Sequence, residues 1–207
     1  IIALFGKTPP DIACGPFWEL RWAFGCPLNC AYCYLRGTNK GNMKPRYIKI
    51  EHIIRALETV FNDPNFNGGR PAIFNSGELC DSLMNPPLMS QISDFFEEQE
   101  KHKLLLLSKF GSESIGFLLE NQKKNTICAW SVNANEVAKR WEKQAPPPAD
   151  RIKAAATVSN AGYETWIRID PIFPIKGWED QYEDLVYTIF SEFEPNRIIL
   201  GTPRGLW

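Results

Sequence analysis

Nothing in the sequence approaches the run of about eighteen apolar residues that a membrane-spanning helix needs. The opening Ile1-Ile2-Ala3-Leu4-Phe5 is too short, and lacks the flanks, for a span or a secretory signal. Histidine is nearly missing, with only His52 and His102, and no second Cys-x-x-Cys offers the paired ligands from which zinc sites are usually built. An excess of one charge is lacking too. The 23 Lys and Arg against 24 Asp and Glu leave a net charge of −1, so no global basic character argues for nucleic acid, although local patches stay open. These absences exclude a membrane span and point to a soluble protein.

At 207 residues, 44% hydrophobic and 13% aromatic, the chain has the composition of one globular core, and a single domain over residues 1–207 is the expectation. It begins without Met and stops at Trp207 close behind a predicted strand, which reads as a trimmed piece of something longer. The cysteines are Cys14, Cys26, Cys30, Cys33, Cys80 and Cys128. Three of them crowd into eight residues, the pattern of a metal site in a reducing compartment rather than of disulfides, so the cytoplasm is expected.

That crowded stretch, Gly25 to Leu35, reads Gly-Cys-Pro-Leu-Asn-Cys-Ala-Tyr-Cys-Tyr-Leu. With three and then two residues between the cysteines, one short loop can bring three thiolates onto one face of an iron–sulfur cube and leave the fourth iron without a protein ligand. An iron with an open position can bind a small molecule, whereas a cluster closed by four cysteines mostly passes electrons. Zinc, which also takes closely spaced thiolates, is the competing reading.

Around this loop, hydrophobic periodicity predicts alternating strands and helices. Strands are expected at Phe17 to Ala23, Pro71 to Asn75, Lys103 to Ser108, Thr126 to Val132, Tyr163 to Asp170 and Arg197 to Leu200. Helices are expected at Glu51 to Phe61, Pro86 to Glu100, Ser112 to Asn121, Glu136 to Trp141, Asp150 to Asn160 and Trp178 to Phe193. Alternation of this kind requires a parallel sheet with right-handed crossovers. Six units suggest a partial (β/α)6 barrel, with an open doubly wound sheet as the alternative. The polar stretch Arg36 to Lys49, with Lys40, Lys44, Arg46 and Lys49 around Tyr47, reads as a solvated loop ahead of a phosphate-contacting patch.

Parallel α/β folds place their chemistry at the carboxyl ends of the strands. There the chain supplies the three cysteines, then Ser76, Gly77, Glu78 and Cys80, then Ser108 and Lys109, then Ser131 and Asn133, then Arg168 and Asp170, and last Thr202. Strand alternation adds that if Asp170 faces the barrel interior so do Arg168 and Trp166, leaving Ile167 and Ile169 for the helices. An ion pair inside a sheet has either a structural or a functional reason. By the same alternation Cys128 faces the helices if Ser131 faces inward, and Cys128 is read as core.

The cysteine spacing, with an aromatic residue before the last cysteine, resembles the radical S-adenosylmethionine (SAM) superfamily. Ser76-Gly77-Glu78 looks like that superfamily's Gly-Gly-Glu element, which meets the amino group of SAM, with Ser76 in place of the first glycine. A closer resemblance, from about Phe17 to Ile199, is to the spore photoproduct lyase family, which repairs thymine dimers of the spore-photoproduct type in DNA. It rests on the whole cysteine loop, on Leu107-Ser108-Lys109-Phe110, on Trp130-Ser131-Val132-Asn133-Ala134, and on Ala161-Gly162-Tyr163, Asp170-Pro171-Ile172-Phe173 and Gly177-Trp178-Glu179.

The resemblance implies a radical SAM barrel with Cys26, Cys30 and Cys33 on a [4Fe-4S] cluster. Ser76, Gly77, Glu78, Lys109 and Ser131 are then the SAM-binding residues. It also implies a 5′-deoxyadenosyl radical that takes a hydrogen atom from the lesion, Cys80 as the thiol that returns one, and Tyr32 and Tyr34 as relays. DNA carrying the lesion and a low-potential electron donor such as flavodoxin or ferredoxin would be the partners. Glu78-Leu79-Cys80-Asp81-Ser82-Leu83 departs from the repair enzymes' segment, and Asp81 is read there as a source of different charge in the pocket. Two other readings stay open: the same radical chemistry on a peptide, nucleotide or small molecule, and a non-enzymatic zinc protein.

Overall fold

The computed structural model describes residues 1–6 and 17–203, so Cys14 lies outside the described residues. The chain opens with β1 (Ile2–Phe5) and β2 (Phe17–Leu20). It then makes a short antiparallel ribbon of β3 (Ala23–Phe24) and β4 (Arg46–Tyr47), with the one-turn helix α1 (Leu35–Thr38) between them. Strand and helix alternate from there: α2 (Ile50–Phe61), β5 (Ile73–Asn75), α3 (Pro86–Gln99), β6 (Lys103–Ser108), α4 (Gly116–Glu120) and β7 (Thr126–Ser131). The last elements are α5 (Asn135–Trp141), α6 (Pro148–Asn160), β8 (Glu164–Ile169), α7 (Trp178–Glu192) and β9 (Arg197–Leu200).

Local chemistry explains the helices. In α2, Ile53, Leu57 and Phe61 recur at every fourth position and are its buried residues. The start of α3 is fixed by the Asn85 side chain, which accepts the Leu88 N–H at 3.2 Å, and by prolines in the first turn, where a missing N–H costs nothing.

Strand order decides between the two architectures left open by periodicity. The main sheet runs β1-β2-β5-β6-β7-β8-β9, and from β2 onward every neighbouring pair is parallel. Its order never reverses, so right-handed crossovers put every helix on the same face, whereas a doubly wound sheet needs a reversal. The core confirms this. Phe74, Leu106, Cys128, Trp130 and Ile167 on one sheet face join one large cluster with Ile53, Met89, Ile152 and Ile189 of the helices. The other face holds a small cluster of Leu105, Ile127, Ala129 and Trp166. The fold is therefore a partial (β/α)6 barrel, with helices outside and a narrow apolar floor inside. Cys128 and Ile167 lie on the helix side and Trp166 on the inner side, as strand alternation requires.

Three segments differ from expectation. The first strand stops at Leu20, because Trp22 turns into the core and donates its indole N–H to the Ser76 carbonyl at 2.8 Å; Ala23–Phe24 then pairs with Arg46–Tyr47. The stretch Arg36 to Lys49 is accordingly not loop throughout, since it carries the end of α1 and the whole of β4. The opening Ile2–Phe5 forms an antiparallel strand against β2 that periodicity did not single out.

Candidate functional site

Every parallel strand ends toward one cavity of about 270 Å³ at the carboxyl rim of the sheet. The cysteine loop forms one wall. It is tied down by the Gly25 N–H to the Leu79 carbonyl (3.0 Å), the Cys26 N–H to the Met43 carbonyl (2.9 Å) and the Ala31 N–H to the Trp141 carbonyl (2.8 Å). Gly25 has φ +81°, and a Cβ there would stand 2.6 Å from the Lys44 carbonyl oxygen, so only glycine lets the loop turn beneath the segment that covers it.

Cys26, Cys30 and Cys33 all line the cavity. Burial pushes the Cys26 thiol up to about 12, with the nearby Asp81 carboxylate adding to it, and pushes Cys30 up to about 11 against the pull of Lys109; Cys33 is raised by burial as well. Such thiols become good ligands only when a bound cation supplies the charge that favours thiolate. The described residues gather no three His, Cys, Asp or Glu side chains around a single-ion point. A cube in which three irons take one thiolate each and the fourth stays open asks instead that three thiols face one volume, which these do. The donor set fits a cluster with one open iron.

The opposite walls come from β5 to β8. Gly77 and Glu78 line the cavity after β5. Gly77 is required because a Cβ would lie 2.6 Å from Leu107 Cβ and 2.7 Å from the Leu107 carbonyl oxygen. Glu78 Oε1 accepts from the Asn75 amide at 2.8 Å, and the Tyr34 hydroxyl donates to the Glu78 carbonyl. Ser76, expected beside them, stands behind the wall instead. Its hydroxyl bonds Ser82 Oγ at 2.8 Å and the Leu105 carbonyl at 3.0 Å, and its carbonyl accepts from Trp22 and from the Cys80 thiol. The structure gives Ser76 a bracing part, because its side chain is used to join β5 to β6.

Asp81 brings charge to the pocket, where it adds to burial in raising the Cys26 and Cys80 thiols, and it has a structural part as well. It lines the cavity, yet its carboxylate accepts from Ser108 Oγ (2.7 Å), the Lys109 N–H (2.7 Å) and the Leu83 N–H (2.9 Å), so it pins the end of β6. Burial raises its pKa, and these bonds work against the rise. Cys80 is 5% exposed and lines the cavity, with its Sγ 3.4 Å from the Ser76 carbonyl oxygen. Burial first, then Asp81 and Cys26, holds its pKa well above the ordinary thiol value, so it keeps its proton.

Lys109 Nζ donates to Ser131 Oγ at 2.5 Å, joining the ends of β6 and β7. It also lies 3.3 Å from Glu142, which is bound at 2.6 Å by Arg151 and accepts the Tyr32 hydroxyl. Burial alone would raise the Glu142 pKa, but Lys109, Arg151 and the tyrosine hold it below the ordinary carboxylate value. Arg168 clasps Asp170 through two nitrogens at 2.8 and 3.1 Å, and both residues line the cavity. Of the residues expected at the rim, all but Ser76 and Asn133 are lining residues; the Asn133 amide instead donates to the Pro171 carbonyl and accepts the Tyr182 hydroxyl. Glu142 and Arg151 were missed; the only sequence signal was a pair of opposite charges flanking the breaker Ala145 to Pro148.

A singly wound parallel half-barrel with three cysteines on the first loop of its mouth defines the radical SAM class of fold. Within that class the family model described as spore photoproduct lyase matches residues 17–198, and the chain belongs to that family. It is 26% identical over 183 residues to the spore photoproduct lyase of Clostridium acetobutylicum, covering 82% of this chain and 50% of that protein. With the Bacillus subtilis (strain 168) enzyme it shares 27% over 172 residues, 81% of this chain and 49% of that one. A solved spore photoproduct lyase variant with bound AdoMet and dinucleoside spore photoproduct superposes with a TM-score of 0.79 at 22% identity, over 91% of this chain and 57% of that one. The chain spans about half the length of the curated relatives it matches.

Proposed function

We propose that the chain is the radical-generating barrel of an enzyme that restores two thymines from the spore photoproduct in DNA. The observation that carries the reading is convergence: Cys26, Cys30, Cys33, Cys80, Lys109 and Ser131, from three strand ends and the cysteine loop, face one cavity. Its solved relative holds AdoMet and a dinucleoside lesion together.

On this reading Cys26, Cys30 and Cys33 hold a [4Fe-4S] cluster. Lys109 and Ser131 take the charged end of SAM, while Gly77 and Glu78 take its amino group. When bound, cluster and cofactor supply a 5′-deoxyadenosyl radical, given one electron by a low-potential donor such as flavodoxin or ferredoxin. The chain's part is to position and to shield: Leu28, Leu35 and Phe173 line the cavity among its polar groups and keep water out. A lesion must be swung out of the base stack to enter, at a cost of a few kcal/mol that damage reduces. Cys80, held as a thiol by burial, has a hydrogen atom to return to a substrate radical. Its S–H points at the Ser76 carbonyl, and the Tyr32 and Tyr34 hydroxyls point at Glu142 and Glu78, so a relay through the tyrosines requires side-chain rotation. No helix among the described residues is long and apolar enough to cross a membrane, which is compatible with work on DNA in the cytoplasm.

The test is an anaerobic assay of the reconstituted protein, with about four irons and four sulfides per chain, given SAM, a reductant and a short oligonucleotide carrying the spore photoproduct. Restored thymines are expected. Formation of 5′-deoxyadenosine with the lesion intact would move the same machinery to a non-DNA substrate, and a zinc-loaded, iron-free protein would overturn the reading altogether.

A further inference from the structure

Glu142 lies just past the end of α5, remote in sequence from Tyr32 and Lys109, and its side chain has no solvent exposure. Three groups converge on it: the Arg151 guanidinium at 2.6 Å, the Lys109 ammonium at 3.3 Å and the Tyr32 hydroxyl. The ring closes through Ser131, whose hydroxyl accepts from Lys109 at 2.5 Å and whose carbonyl accepts from Arg151 at 3.2 Å. Arg151 is also bound by the Pro146 carbonyl at 2.7 Å and is wholly buried, whereas Lys109 keeps 15% of its side-chain exposure and lines the cavity.

Two cations share one carboxylate, so the cluster carries one surplus positive charge. Arg151 is locked behind the wall, and the surplus therefore faces the cavity through Lys109. Without Glu142 the two cations would repel each other in a poorly screened interior, and the flexible lysine is the one with somewhere to go.

We propose that Glu142 is a positioning residue: it aims the Lys109 ammonium at the carboxylate of SAM and, through the same carboxylate, holds Tyr32 in the wall beside the cysteine loop. This rests on the SAM-binding reading above. Glu142 touches no reacting atom and acts only through Lys109 and Tyr32. An ion pair that served stability alone would leave SAM affinity independent of Glu142, and a mutant cycle separates the two cases.

The experiment measures the dissociation constant of SAM for the reconstituted protein by equilibrium dialysis, with thermal unfolding followed separately. The proteins are wild type, Lys109→Met, Glu142→Gln and the double variant. Glu142→Gln is expected to weaken binding roughly tenfold, and the double variant to match Lys109→Met, since a residue that works through lysine has nothing left to do once the lysine is gone. Because Glu142→Gln leaves Arg151 charged and buried, it risks misfolding. Glu142→Gln/Arg151→Met removes both charges and the repulsion with them, and is still expected to bind SAM more weakly than wild type, because nothing then anchors Lys109. Unchanged affinity in either Glu142 variant, or losses that add to those of Lys109→Met, would overturn the inference while wild-type binding keeps the SAM reading. Failure of the wild type to bind SAM would overturn both.

Discussion

Replacing Asp81 tests how the cavity wall is held. Its carboxylate accepts three hydrogen bonds, from Ser108 Oγ, the Lys109 N–H and the Leu83 N–H, all between 2.7 and 2.9 Å and all away from water. Bonds to a charged group contribute about 1.5–3 kcal/mol each, and a buried donor left without an acceptor costs about 1–3 kcal/mol. Removing the charged group also lifts its burial cost, the cause of its raised pKa. Asp81→Ala should therefore lose roughly 3–6 kcal/mol, much of the stability of an ordinary domain. For a chain of this size that lowers Tm by roughly 10–20 °C. Asp81→Asn keeps one acceptor oxygen but presents an N–H₂ to a second donor, and should fall between wild type and Ala. Ser108→Ala removes one of the three bonds, together with the Phe110 N–H to Ser108 Oγ bond at 2.9 Å, and should cost about 1–2 kcal/mol. Urea unfolding of the four proteins, read at constant m-value, gives the comparison. A loss under about 1 kcal/mol for Asp81→Ala, beyond the ordinary scatter of surface substitutions, would show that these bonds do not hold the β6 end and refute the reasoning.

Three further outcomes are expected. In Cys80→Ala, 5′-deoxyadenosine should still form while clean thymine release gives way to abnormal adducts; an unchanged product pattern by chromatography removes Cys80 from the chemistry. Gly77→Ala should lose about 1–3 kcal/mol in urea unfolding and bind SAM less tightly, because the added methyl meets Leu107 at 2.6 Å, and wild-type values for both would show that the turn shifts freely. His102, its Nδ1 accepting the Ala72 N–H at 3.0 Å and its ring edge-on to Phe61, is depressed by burial, and secondarily by Lys101, from 6.5 to about 4. Between those values the unfolded chain binds a proton the folded one refuses, so stability should fall as pH drops through that window, by up to about 1.4 kcal/mol per unit. His102→Gln should lack that part of the slope, and equal slopes would refute the assignment.

What was legible in the sequence follows from what periodicity encodes. The bounds of β6 and β9 were read to the residue, and alternation put Arg168 and Trp166 on one face and Cys128 on the face opposite Ser131, since a strand's two faces are fixed by its period. The cysteine loop was legible because its ligands are close in sequence. Turns carry no such rule. Nothing in Ser-Gly-Glu says that the serine hydroxyl turns back to Leu105 while the glutamate stays at the rim, and nothing in Cys-Asp-Ser says that the aspartate spends itself on backbone. The two-residue pairing of β3 with β4 is too short for any pattern, and β1 is marked only by the strand it meets. Glu142 was invisible because its partners Tyr32 and Lys109 come from loops remote in the chain, and a lone acid after a helix looks like surface.

The sheet repeats in space the order of its strands in the chain, and that gives the protein a direction in time. Each strand of this sheet after β2, as it leaves a ribosome, meets a neighbour already made, so the barrel can lengthen one unit at a time without waiting for a distant partner. The cysteine loop is made well before Arg168, Asp170 and Thr202, which share its cavity. Until β8 and β9 are made, then, the nascent chain presents its three thiols on an unfinished and open cup.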